Sequence, residues 1–348
     1  MNEGDIAALE RWLAERLHGP VTLSDVSPLS TGFSAETTSL VASSPAFGER
    51  RLVLRRESPD PAVYPQQAPG FDVEVDIQYR VMAALQAGTT LPLAPVVGYE
   101  HSHEIVGAPF FVMEFVDGAV PLVAPSYAAE GFFAEASPAD RRRMVEDGIR
   151  VLAELHTLDW EKHDLGWLLP RGEEPTAMRQ VHIWRDYTVR ELAGREHALI
   201  VGAFDWLEKN APRHDPSAVT VNWGDPRLGN MIWRDYRCVC VTDFEAASIA
   251  PFGVDLGWWL MFDRWSHEHS GAERLEGEPT REEQAALYFE LSGRRPEPTH
   301  WYEVFAALRY CGIVVRIMNR AVERGLMPAD NDVWRDNQAT ACLQELLG

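Results

Sequence analysis

Lysine is almost missing from this 348-residue chain, with Lys162 and Lys209 the only two. Any cationic task in the first 161 residues therefore falls to arginine or histidine. Positive charge is short overall, 32 Lys and Arg against 53 Asp and Glu, for a formal net charge of −21. That balance excludes nucleic acid and anionic membrane as expected partners, because their phosphates would be repelled. It suits a cationic partner and simple solubility equally. Cysteine is scarce too: Cys238, Cys240, Cys311 and Cys342 show no Cys-x-x-Cys or zinc-ligand spacing, which points to a reduced compartment. No apolar run approaches the roughly 18–20 residues that a membrane-spanning helix needs. Charges are scattered through residues 1–17, against a signal-peptide layout. The expectation is a soluble, cytoplasmic protein. Also lacking are Gly-x-x-x-x-Gly-Lys-Ser/Thr, Gly-x-Gly-x-x-Gly, Gly-x-Ser-x-Gly and His-Glu-x-x-His, and His101 with His103 is only a weak metal pair.

Hydrophobic residues, 46% of the chain, are spread throughout and suit a large core built in two lobes. Ile6, Leu9, Trp12, Leu13 and Leu17 recur at helical spacing, and Gly19-Pro20 stops that helix. Residues 21–42 alternate as strand, turn and strand, broken at Ser30-Thr31-Gly32-Phe33-Ser34. Residues 51–56 read as a further strand, with Val53 and Arg55 on one face and Leu52 and Leu54 on the other. A Pro-rich connector, 59–70, leads to a helix over 75–85, then strands follow near 95–99 and 109–116. Beyond these the pattern turns helical. Ser137-Pro138 is an expected helix start, two helices break near Gly194, and a long helix around Trp301 to Met318 ends at Gly325.

The stretch that carries chemistry runs from Val221 to Glu245. Asp225 and Asn230 stand five positions apart, and Asp243 follows thirteen later, after an apolar run, a polar turn and a returning strand. The pattern is a loop, a hairpin and a carboxylate at the end of the second strand. Phosphoryl transfer needs such a set: one carboxylate to take the hydroxyl proton, an amide oxygen and a second carboxylate to hold Mg²⁺ against the phosphates.

With Pro251-Phe252-Gly253-Val254-Asp255-Leu256-Gly257 downstream, these residues resemble the aminoglycoside phosphotransferase / choline kinase group, whose fold is protein-kinase-like. The likeness is greatest to the kinase-like domains fused to some acyl-CoA dehydrogenases. The wider family usually has His where Trp223 stands here. The resemblance implies an α+β bilobal fold, with an N-lobe over 1–115 (antiparallel sheet plus helices) and a larger, mostly helical C-lobe over 116–348.

It also implies the site. Asp225 takes the role of catalytic base, and Asn230 and Asp243 those of Mg²⁺ ligands. Arg227 lies near phosphate or substrate, a salt bridge to the loop being the equal alternative. Ser30, Gly32, Phe33 and Ser34 would cover the nucleotide phosphates, although one glycine alone equally marks an ordinary hairpin. Val53 and Arg55 belong to the phosphate-binding strand, Arg55 replacing the usual Lys, with Arg56 as fallback. Gln78 stands where the family pairs a Glu with that cation, and Glu74 is the alternative partner. Adenine would lie against the backbone of Glu114, Phe115 and Val116. His156 is expected to be a buried support for the loop, and Asp255 a cap that also supports it. Trp258, Trp259, Asp263, Trp301, Tyr302 and Arg309 are candidates for an acceptor pocket. The function implied is Mg²⁺-dependent transfer from ATP or GTP to a hydroxyl of a small molecule, whether aminoglycoside, macrolide, choline-like or hydroxyacyl. The alternative is a catalytically inactive binding or scaffold protein on the same fold, motivated by Gln78, Trp223 and the missing lysine.

Overall fold

Helix α1 (Glu3–Arg16) opens on a capping box, in which Asn2 and Asp5 each accept the other's backbone N–H. It buries Leu9, Trp12 and Leu13 against one face of a sheet, among Leu40, Leu52, Leu54, Phe110 and Val112. The computed structural model describes residues 1–30, 35–67, 70–71, 73–123 and 125–348. Among these, strands β1 (Thr22–Ser30), β2 (Glu36–Ser44), β3 (Gly48–Arg56), β4 (Val96–Glu100) and β5 (Phe110–Glu114) form an antiparallel sheet ordered β1-β2-β3-β5-β4.

β3 is central and apolar on both faces. Leu52 and Leu54 face α1, while Val53 joins Val75, Val81 and Leu85 of α2 (Glu74–Gly88) in a second cluster. Period two then turns Arg55 toward that second side, where the rest of the chain lies.

The remainder is mostly helical: α3 (Pro138–His156), α4 (Ala177–Leu192), α5 (Ala198–Lys209), then, after the short strands described next, α6 (Gly253–Arg264), α7 (Arg281–Ser292), α8 (His300–Glu323) and α9 (Gln338–Leu347). α3 starts as its sequence requires, with Ser137 accepting the Asp140 N–H and Pro138 in the first turn. α6 is buried from Gly253 through Asp263, so it runs through the core rather than along it. The architecture is α+β and two-lobed. No helix among the described residues is long and apolar enough to cross a membrane.

Two short ladders position the site. β6 (Val219–Asn222) pairs with β9 (Ser248–Pro251), and β7 (Met231–Arg234) pairs with β8 (Arg237–Val241). Asn222 opposite Ser248 closes one end and Met231 opposite Val241 the other. The loops 223–230 and 242–247 are thereby held side by side.

Candidate functional site

Backbone contact between these two loops explains Gly224. Its φ is +98°, and a Cβ there would lie 2.2 Å from the Ala246 carbonyl oxygen. Asp255, in the first turn of α6, fixes the same turn: its carboxylate accepts the Trp223 N–H at 2.6 Å and the Gly224 N–H at 3.0 Å. Two N–H donors on one buried carboxylate make a strong anchor. The expected cap role is corrected here, because Phe252 precedes the helix without a side-chain cap and Asp255 turns to the loop instead. His156 backs Asp255, with Nε2 3.1 Å from Oδ2 and Nδ1 2.7 Å from Tyr288 Oη. Burial lowers the His156 pKa, and the bond to Asp255 only partly offsets it. Trp223 is buried beneath the second loop, and its Nε1 donates to the carbonyls of Thr242 at 2.8 Å and Asp243 at 3.1 Å. Arg309, expected in an acceptor pocket, is buried over the Trp258 ring and donates to the Gly224 carbonyl at 2.7 Å. Burial pulls its pKa down to about 10.

On this frame Asp225 is 3% exposed and receives donors from four side chains. Trp258 Nε1 reaches Oδ1 at 2.7 Å, Asn230 Nδ2 reaches Oδ2 at 2.7 Å, Tyr64 Oη reaches Oδ2 at 3.0 Å, and Arg227 Nε spans both oxygens at 3.1 Å. Burial opposes the charge on Arg227, but Asp225, Tyr64 and Asp243 together outweigh it and raise the guanidinium pKa. Asn230 also donates to the Asp225 carbonyl at 3.0 Å, while its own carbonyl accepts from Thr242 across the loops. Asp243 adopts φ +68°, which turns its carboxylate out of the strand direction and toward the sheet, where Arg55 Nη2 lies 3.4 Å away. Arg55, Tyr64, Asp225, Arg227, Asp243 and Glu245 line one cleft of about 350 Å³.

The expected partners of Arg55 differ from those observed. Gln78 donates its amide to Glu245 at 3.2 Å, and Glu74 accepts the Val63 N–H at 3.1 Å. Burial, then the nearby charge of Glu57, push the Glu74 pKa up to about 7. Arg56 points to the other side of the sheet, toward Glu36 and the Val106 carbonyl, because alternation places it opposite Arg55. Val53 is buried two residues before Arg55 on the same face. Glu114 ends β5 and donates its N–H to the Pro95 carbonyl, and Phe115 donates to the Arg51 carbonyl, so Val116 is the first residue past these bonds. Ser30 is the last residue of β1, whereas Gly32, Phe33 and Ser34 lie outside the described residues.

The expected pocket aromatics divide. Trp258 lines the cleft, with Phe262, Tyr310, Ile313 and Ile317 beside it. Trp259 and Asp263 border a smaller neighbouring pocket. Trp301 and Tyr302 are core: Trp301 bonds the Leu207 carbonyl, and Tyr302 fills the space left by Gly253 and Gly257. Tyr64 was not anticipated. Its only local signal is an aromatic residue set between Pro61 and Pro65 in a segment that otherwise reads as connector.

Residues 25–291 match the signature of the phosphotransferase enzyme family. The chain is 25% identical over 338 residues to an Arabidopsis thaliana protein described as probable acyl-CoA dehydrogenase IBR3, covering 91% of this chain and 39% of that one. It is likewise 25% identical over 327 residues to mouse acyl-CoA dehydrogenase family member 11, covering 88% and 38%. The chain thus spans well under half the length of these curated relatives. Among solved structures, a candidate aminoglycoside phosphotransferase from Ralstonia eutropha JMP134 superposes with a TM-score of 0.71 at 25% identity, covering 98% of this chain and 94% of that one. Choline kinase from Cryptosporidium parvum Iowa II shares the fold, with a TM-score of 0.56 at 11% identity over 87% and 91% of the two chains. The signature spans most of the chain, both ladders and the two loops they hold together, and on that ground the protein belongs to the phosphotransferase enzyme family, on the protein-kinase-like fold.

Proposed function

We propose that this protein is a small-molecule kinase that moves the γ-phosphoryl group of ATP or GTP to an acceptor hydroxyl. The observation that carries the reading is the shared cleft, in which Asp225 and Asp243 from adjacent loops face Arg55 from the sheet. Asp225 takes the acceptor's proton and orients its hydroxyl. Arg55 leaves Asp243 for the nucleotide phosphates, and Arg227, beside Asp225, offsets charge that develops on the transferred group. The Glu114 carbonyl and Val116 N–H read the adenine edge. Residues 1–115 then form the nucleotide-covering lobe, and 116–348 carry the loops and the acceptor pocket.

The donor set suits Mg²⁺. Asn230 spends its amide N–H on Asp225, which leaves Oδ1 as the atom for a metal, and Asp243 adds a carboxylate. No group of three or more His, Cys, Asp or Glu side chains among the described residues could hold a metal by itself. Two hard oxygen ligands that rely on substrate phosphates and water are what Mg²⁺ favours. When bound, the ion neutralises phosphate charge. Everything else is positioning, which is most of what this reaction asks of a protein.

Calorimetric titration with ATP and with GTP, each with and without Mg²⁺, tests the reading. Metal-dependent binding of either nucleotide is expected and names the donor. Binding of neither would transfer the weight to a non-catalytic scaffold.

A further inference from the structure

Among the described residues, the donors to Asp225 are N–H groups with one exception, the hydroxyl of Tyr64 at 3.0 Å from Oδ2. A hydroxyl hydrogen-bonded to that carboxylate is the arrangement a phosphoryl acceptor must itself adopt. Tyr64 does not belong to the loops that build the rest of the site. It comes from the connector between β3 and α2, some 160 residues earlier in the chain.

The connector is tied down on both sides of Tyr64. Tyr187 Oη of α4 donates to the Val63 carbonyl at 2.5 Å, and Glu74 accepts the Val63 N–H. Arg316 and Arg320 of α8 donate to the Pro61 carbonyl, and Arg324 pairs with Asp60. On the other flank Gln180 bonds Gln67 at 2.9 Å, and Arg179 bonds its carbonyl at 2.6 Å. The Tyr64 ring stands edge-on to Trp184. Burial and then the charge of Asp225 raise the phenol pKa well above its usual value, so Oη keeps its proton and stays a donor. With backbone anchors before and after it, Tyr64 has its side-chain torsions as the main freedom for leaving Asp225.

We propose that Tyr64 is a specificity-determining residue that guards Asp225 against water. Without acceptor, its hydroxyl fills the place on Oδ2 that an activated water would need. An acceptor hydroxyl enters by displacing it. The inference rests on the reading of Asp225 as the proton acceptor. Unguarded, a water oxygen bonds to the γ-phosphorus, the bond from that phosphorus to the bridging oxygen breaks, and the water proton passes to Asp225. Nucleoside diphosphate and inorganic phosphate leave, and the donor is wasted.

The test needs no acceptor. Mg²⁺-dependent hydrolysis of ATP or GTP is measured for the full chain, for Tyr64→Phe, for Asp225→Asn and for the double variant, with nucleotide affinity and melting temperature measured in each. Tyr64→Phe is expected to bind nucleotide like the unsubstituted protein and to hydrolyse it at least about tenfold faster. The double variant should lose that gain, because the extra hydrolysis runs through Asp225. Tyr187→Phe, which frees the Val63 carbonyl and loosens the connector, should raise hydrolysis in the same direction and to a smaller extent. Unchanged or slower hydrolysis in Tyr64→Phe, with nucleotide binding intact, overturns the proposal. So does a phosphate found on Tyr64 by mass spectrometry, which would make it an acceptor. If the unsubstituted chain itself binds neither nucleotide, the kinase reading fails and this inference falls with it. That result is recognisable because it precedes any substitution.

Discussion

Arg55 Nη2 lies 3.4 Å from Asp243 Oδ1, linking the central strand of the sheet to the loop after β8 across 188 positions of sequence. Arg55 Nε is buried with no hydrogen-bond partner among the described residues, so the guanidinium is held in the cleft with bonding capacity to spare. A cation placed this way is ready to exchange one carboxylate for phosphate oxygens. Arg55→Gln is expected to weaken nucleotide binding by about tenfold to a hundredfold, the equivalent of one charge-assisted hydrogen bond at about 1.5–3 kcal/mol. Calorimetric titration reads this directly, and an unchanged affinity would remove Arg55 from the nucleotide site.

Asp225→Asn separates chemistry from binding. The amide keeps the shape and can still accept from Trp258, but it cannot take up a proton. Transfer to any acceptor found by screening should fall by about a hundredfold or more while nucleotide affinity stays near that of the unsubstituted protein. Unchanged turnover in a nucleotide-consumption assay would end the assignment of Asp225 as base.

Trp223 is buried, and its indole serves the second loop through two carbonyls. Trp223→Phe keeps much of the apolar volume and removes the donor, leaving the carbonyls of Thr242 and Asp243 without that bond. A loss of about 1–3 kcal/mol in stability is expected by chemical denaturation, from unmet buried acceptors. Nucleotide binding in the presence of Mg²⁺ should weaken as well, because the Asp243 turn is less well held. A variant as stable and as tight as the parent would show that the indole only fills space.

Two buried groups make stability depend on pH with opposite signs. The Glu74 pKa is raised from the usual 4.5 to about 7, so the unfolded chain gives up this proton more readily. The neutral-form stabilisation is present below pH 4.5 and lost as pH rises toward 7. Glu74→Gln cannot ionise and can still accept the Val63 N–H. Its melting temperature relative to the parent should therefore improve between pH 5 and pH 8. The His156 pKa is lowered from 6.5, so the unfolded chain takes up that proton first and stability falls as pH drops below 6.5. Melting curves across this range, for parent and Glu74→Gln, distinguish the two. A Glu74→Gln difference that is flat with pH would show that Glu74 does not titrate there.

Much of the candidate site was legible because its parts are local. Asp225, Asn230 and Asp243 lie within one loop–hairpin–loop, and the β6–β9 and β7–β8 ladders hold the two loops side by side. The two-faced β3 is legible for a similar reason, since alternation alone separates Leu52 and Leu54 from Val53 and Arg55. Trp301 and Tyr302 show the limit. Their helical spacing fits core and pocket alike, and only the packing against Gly253 and Gly257 assigns them to the core.

What the amino-acid sequence determined by itself was thus the order of the elements and the residues of the two loops, through periodicity, capping and short spacing, while the class of fold followed from the family resemblance that those residues carry. The tertiary structure decided the partners. Arg55 meets Asp243 and not Gln78, Gln78 meets Glu245, Asp255 holds the Trp223–Gly224 turn, and Tyr64 reaches Asp225 from a connector that reads as a linker. These pairings join segments about 30 to 190 positions apart. They depend on how a sheet, a strap and two loops pack in three dimensions, to within about an ångström of hydrogen-bond distance, and periodicity along a chain carries no information at that range.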